Sequence, residues 1–191
     1  MISSAAHFLI STIFNILTMM FLLRFLMQAT KTSFFNPIGQ IVIALTDFAV
    51  KPARKFIPSW KKNDLSTLVL AFVAQLILQF TLLWLRDFPF AVANIPVWPS
   101  VLGLSLIGMV GVIINIFFYA IFIQVILSWV NPHTPIGPVL HSLTRQILGP
   151  IKKLLPPISG IDFSPFVAII LLQMFNISVV ATLQRNILSA F

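Results

Sequence analysis

Cysteine is absent from this 191-residue chain, and so is glutamate. The first absence removes disulfides, thiol nucleophiles, iron–sulfur clusters and cysteine-held zinc. The second leaves four aspartates as the whole acidic complement, against 12 lysines and arginines, for a formal charge of +8. Charge of either sign is scarce: 8% of residues, where soluble domains carry about 25%. Hydrophobic residues make up 59%, more than a water-soluble domain can hide. A cytosolic enzyme or a soluble binding module is therefore excluded. In so apolar a chain the excess of base reads as a topology signal and not as a nucleic-acid footprint. This is an integral membrane protein.

A helix crosses the hydrocarbon core with about 20 apolar residues. Four stretches qualify, at about 7–28, 65–85, 101–130 and 163–183. The third is longer than the core requires, about 45 Å at ~1.5 Å per residue, so it tilts or projects. The first is too long for a signal peptide and lacks a basic leading segment and a cleavage site; it is read as a true span. Between the first two spans lie Lys31, Lys51, Arg54, Lys55, Lys61 and Lys62, and between the last two Arg145, Lys152 and Lys153. The other side has Arg86 and Arg185, and Arg24 sits inside the first span. That asymmetry places both basic loops in the cytoplasm and both termini outside.

The chain also repeats itself. Shifted by 98 residues, 37–75 aligns without a gap and with 12 identities. Among them are Pro37/Pro135, Gly39/Gly137, Thr46/Thr144, Pro52/Pro150, Lys55/Lys153, Pro58/Pro156, Asp64/Asp162, Ser66/Ser164 and Gln75/Gln173. Shared hydrophobicity does not generate matched Pro, Gly and Asp, so the duplication is real. Upstream an offset of 100 pairs Asn15 with Asn115 and Arg24 with Gln124. The expected fold is all-α, with four transmembrane helices as two parallel helix–interfacial helix–helix repeats, 1–98 and 99–191. Two spans per unit make the repeats parallel, unlike the inverted repeats of many transporters.

The short helices are expected at 38–50 and 137–148, each ending before Pro52 or Pro150. They are too short to span, and lie in the interface, form re-entrant hairpins, or simply connect the spans as amphipathic packing. A basic Pro-rich elbow follows each: Pro52, Arg54, Lys55 and Pro58, then Pro150, Lys152, Lys153 and Pro156. Its lysines either bind anionic headgroups, at about 1 kcal/mol each, or only set topology. Asp64 with Ser66, and Asp162 with Ser164 and Pro165, open the next spans. An Asp there caps free N–H groups, while the functional alternative is a cation or partner site at the cytoplasmic face. Within the membrane, Gln75 and Gln173, with Asn15, Asn115, Gln79, Gln124 and Asn176, act either as interhelical hydrogen-bond glue or as the lining of a hydrated path. Arg24 is expected to snorkel to the cytoplasmic end. No mid-membrane carboxylate, potassium filter or phosphate-cradling glycine loop is present, and the three histidines have no metal-ligand spacing. No catalytic residue, metal, cofactor or nucleic-acid partner is expected.

These elements resemble the YggT family of bacterial membrane proteins. The resemblance is carried by Ser128-Trp129, Asn131-Pro132, Pro135-Ile136-Gly137, Thr144, Pro150, Pro156-Pro157 and, most specifically, Gly160-Ile161-Asp162-Phe163-Ser164-Pro165. The first half is degenerate, with Lys31 in place of Trp129, Lys62-Asn63 for Gly160-Ile161 and Thr67 for Pro165. The resemblance implies an inner-membrane protein linked to osmotic-stress tolerance and cation homeostasis. Other branches are linked to cell-division neighbourhoods, thylakoid or nucleoid organisation and assembly of a membrane cytochrome. Two functions remain open: a non-enzymatic scaffold or assembly factor, working with lipid headgroups, other membrane proteins or copies of itself, or a small ion channel or transporter.

Overall fold

The computed structural model describes residues 2–57, 64–85, 97–131, 134–157 and 162–189, and among them every regular element is a helix. Six helices follow in order: α1 (Ile2–Ala29), α2 (Pro37–Ala53), α3 (Leu65–Leu85), α4 (Val97–Val130), α5 (Gly137–Leu154) and α6 (Ser164–Ser189). Four of them, α1, α3, α4 and α6, are long and apolar enough to cross a membrane. Their outward faces carry Phe8, Ile13, Val73, Ile77, Ile170 and Met174, all exposed. A lipid surround accepts such a surface, because helices satisfy their backbone internally.

Local chemistry sets the helix ends. α1 stops in a Schellman turn: Thr32 N–H donates to Met27 C=O (2.8 Å) and Lys31 N–H to Gln28 C=O (3.0 Å). Lys31 takes the left-handed position of that turn, at φ 56°. α2 opens on Asn36, whose extended backbone and side chain cap the Gly39 N–H at 2.8 Å, with Pro37 pre-set in the first turn.

Both short helices outrun the sequence expectation. Pro52 and Pro150 lie inside α2 and α5, not beyond them. Proline removes one backbone donor and crowds the preceding residue. Pro52 falls in the last turn, where little helix remains to lose. Pro150 follows Gly149, which has no Cβ to collide with the ring and open space around it. Each short helix is continuous through its proline. The first and last spans are also longer than expected, α1 starting at Ile2 and α6 reaching Ser189.

α1 lies along α3, and α4 packs on both while carrying α6 on its far flank. α2 packs against α1 and α3, and α5 against α4, α6 and the end of α1. The main core joins Phe21 and Leu22 of α1, Val50 of α2, Ala71 of α3 and Met109, Val112 and Ile116 of α4. A second cluster, of Met27, Val42, Val139 and Leu143, ties the two short helices together under α1.

Candidate functional site: matched polar ties and an amide-lined cleft

Asp64 immediately precedes α3. Its Oδ1 accepts from the Ser66 N–H (3.1 Å) and hydroxyl, and its Oδ2 pairs with Arg54 Nε at 2.5 Å. Asp162 repeats this in the second half, accepting from the Ser164 N–H (2.9 Å) and hydroxyl (2.6 Å) and pairing with Lys152 Nζ at 2.8 Å. Here the helix begins one residue later: Phe163 occupies the cap, Asp162 stands before it, and Pro165 falls in the first turn. Each elbow thus turns one base back onto its own aspartate. Those bases are Arg54 and Lys152, whereas the identical Lys55 and Lys153 stay exposed. Pro156 is exposed after α5, and Pro58 lies outside the described residues. The two carboxylates sit in separate halves, each with its own counter-ion.

Burial is the largest influence on the Asp64 carboxyl and raises its pKa, but Ser66 and Arg54 together hold it below the ordinary 3.8. Asp162 is likewise raised by burial and lowered further by Lys152 and Ser164. Lowered folded-state values mean stability that is present above pH 3.8 and lost as pH falls through them. Asn caps as well as Asp, so each Asn variant isolates the ion pair. Asp162→Asn, at an exposed pair, is expected to cost under ~1 kcal/mol. Asp64→Asn, at a buried carboxylate, should cost about 1–2 kcal/mol and flatten the acid limb of thermal stability. Melting curves from pH 3 to pH 7 check both.

Arg24 does not snorkel. It is 5% exposed, and its Nη1 donates to Thr46 Oγ1 (2.6 Å) and Asp47 Oδ1 (2.8 Å). Lys51 Nζ holds the other Asp47 oxygen at 2.9 Å, and its hydrogen bond, followed by that of Arg24, keeps the carboxyl below its usual range. The Arg24 guanidinium is taken up instead by a carboxylate and a hydroxyl of α2. In the second half Thr144 Oγ1 donates to Gln124 Oε1 at 2.6 Å. The Arg24/Gln124 and Thr46/Thr144 pairs therefore make one contact twice, a long helix tied to its short helix. The Thr pair was visible as an identity, but Asp47 was missed. It is replaced by Arg145 in the second half, so the repeat gave no signal there.

Away from α2 and α5, the bundle opens into a cleft of about 710 Å³. Asn15, Gln75, Gln79, Asn115, Asn176 and Gln184 present six neutral amides to it. Gln75 is 1% exposed, and its Nε2 donates to Asn15 Oδ1 (3.1 Å) and Thr18 Oγ1 (3.3 Å). Gln173 is not among the lining residues, so the expected Gln75/Gln173 pair is not assembled. Instead the last span reaches the cleft through Asn176 and Gln184, where Asn176–Ala181 form a π turn. Such turns interrupt the regular ladder and are frequent at functional sites; nothing in the sequence announced this one. Chemically the cleft offers amide donors and acceptors at membrane depth. Gly108 makes the room, since a Cβ there would lie 2.5 Å from Gln75 Oε1. Gly108→Ala should displace that amide and cost about 1 kcal/mol, with Gly103→Ala, in ordinary contact with Ile187 at 3.4 Å, nearly neutral. Thermal melts in detergent compare the two.

Comparison with known proteins agrees with the doubled architecture. The family described as CCB3/YggT matches residues 3–85 and again 103–183. YggT of Escherichia coli (strain K12) is 35% identical over 181 residues, covering 94% of this chain and 91% of that protein. A Vibrio alginolyticus protein from the proC 3′ region is 34% identical, covering 91% and 92%. PA0392 of Pseudomonas aeruginosa is 31% identical, covering 95% and 91%. No solved structure matches. Two family matches, together spanning most of the chain and separated as the internal repeat requires, place this protein in the CCB3/YggT family.

Proposed function

We propose that this chain is a non-enzymatic scaffold of the bacterial inner membrane, an assembly or organisation factor that supports membrane homeostasis under osmotic stress. In this reading its halves, 1–98 and 99–191, are parallel span–interfacial helix–span repeats. Both termini are periplasmic and both basic loops cytoplasmic. The observation that carries it is the apolar core of Phe21, Leu22, Val50, Ala71 and Ile116, which adjoins the cleft through Val112. In this reading that core interrupts a polar route through a single copy, and conduction needs a continuous one. α2 meanwhile keeps Ile41, Leu45 and Phe48 exposed, a face suited to the acyl boundary or to a membrane partner. Lys55 and Lys153 are then available to anionic headgroups.

The second reading is a small cation channel or transporter, favoured by the amide cleft, because amide oxygens are suitable ligands for potassium or sodium. Complementation separates the two. In cells lacking the chromosomal copy, recovery from osmotic shock should survive Gln75→Leu and be lost when Ile41, Leu45 and Phe48 are all changed to Ser at unchanged membrane abundance. The reverse pattern would favour transport. Orientation is tested on the cysteine-free background. Gln40→Cys and Gln146→Cys should resist a membrane-impermeant thiol reagent in intact spheroplasts, whereas Ser4→Cys and Ser189→Cys should label; the opposite result inverts the topology.

A further inference from the structure

We propose that the recess between the end of α1 and α5 binds a phosphate-type oxyanion, a site distinct from the elbows and the cleft. It encloses about 270 Å³ and is lined by Thr30, Lys31, His141, Ser142, Arg145 and Gln146, at the small end of small-molecule sites. The two halves of the chain meet here, Lys31 coming from the first and Arg145 with His141 from the second.

Charge bookkeeping identifies the sign of the ligand. No carboxylate lines the recess. The described aspartates are engaged elsewhere: Asp47 by Arg24 and Lys51, Asp64 by Arg54, Asp162 by Lys152. Lys31 and Arg145 therefore share a pocket with no acidic partner among the described residues. Two cations brought together cost free energy that an anion recovers. A guanidinium fork, an ammonium and the Ser142 hydroxyl are groups that recognise phosphate oxygens, while the Thr30 hydroxyl is held by the Leu26 carbonyl at 2.8 Å. The last carbonyls of α1 do not oppose this strongly, since Leu26, Met27 and Gln28 already accept from Thr30, Thr32 and Lys31.

The backbone supplies an independent indication. Lys31 is the one non-glycine residue at positive φ among the described residues. It occupies the helix-terminating position where glycine is the usual solution. A turn required only to end α1 would be better served by glycine, so the strain points to a use for the lysine side chain.

The full chain in neutral detergent is melted with phosphatidylglycerol, phosphatidylcholine or inorganic phosphate. Phosphatidylglycerol should raise the melting temperature where phosphatidylcholine does not. Arg145→Gln and Lys31→Gly should each weaken the apparent affinity about tenfold, as loss of one charge-assisted contact implies, and Arg185→Gln, an exposed base on the last span, should leave it unchanged. Lys31→Gly should also melt higher than the parent without added anion, because glycine takes φ 56° freely; its lost response is then not misfolding. A shift with inorganic phosphate alone makes the ligand a soluble oxyanion, and a shift confined to phosphatidylglycerol makes it a headgroup. No shift with either, or an equal loss in the Arg185→Gln variant, overturns the site.

Discussion

Asp47→Arg is expected to destabilise the protein by about 3 kcal/mol, because it leaves the buried Arg24 guanidinium without its half-buried counter-ion. The substitution takes the counter-ion from Arg24, whose side chain is 6% exposed, and sets a second guanidinium against it. It also reverses the contact with Lys51. The second half of the chain indicates the cure, because there the equivalent positions are Gln124, Thr144 and Arg145, with the Gln124 amide oxygen accepting from Thr144. Arg24→Gln combined with Asp47→Arg should therefore recover most of the loss, the introduced glutamine accepting from the Thr46 hydroxyl. Some deficit remains, since Lys51 stands where the second half has Gly149. Melting temperatures of the single and double variants in one detergent measure the recovery. A double variant as unstable as Asp47→Arg alone would show that the two ties are not interchangeable.

Gly39→Ala should be the most damaging glycine-to-alanine change among the described glycines, at about 3 kcal/mol, the upper range for overpacking. A Cβ there would lie 2.6 Å from Phe34 O and 2.7 Å from Phe34 Cα. Both are backbone atoms of the segment that carries the Asn36 cap, so they yield only if the start of α2 moves. Its repeat mate is the control. Gly137 would bring a Cβ no nearer than 3.5 Å to Thr134 Oγ1, and alanine is the better helix former, so Gly137→Ala should be neutral or mildly stabilising. Equal melting temperatures for the two variants would refute the assigned contact.

That comparison also shows how far the sequence could be read. The four long helices were legible because 20 apolar residues have few other uses, and the doubling because matched Pro, Gly and Asp resist chance. The ends of α2 and α5 were misjudged because proline was read as a stop. Its cost depends on position and on the preceding residue, and a last turn or a Gly149 lowers it. That Asp64 and Asp162 accept from the first N–H groups of the next span followed from local spacing, although Phe163 and not Asp162 takes the cap position; their pairing with Arg54 and Lys152, and not with the identical Lys55 and Lys153, depended on how the ends of α2 and α5 are turned. The direction of Arg24 was beyond a one-dimensional reading. Its partner lies 23 residues away on a helix that returns beneath it, and that carboxylate has no counterpart in the other half. The cleft was largely visible: Asn15, Gln75, Gln79, Asn115 and Asn176 line it, whereas Gln184 was not singled out and Gln173 is not among the lining residues.

The central claim, a bundle closed by apolar packing below a polar cleft, is tested most directly by ion flux. Purified protein in liposomes should pass potassium and sodium no faster than empty vesicles across an imposed gradient. Flux above that baseline, abolished by Gln75→Leu together with Asn115→Leu, would contradict the scaffold and make the amide cleft the mouth of a conducting path.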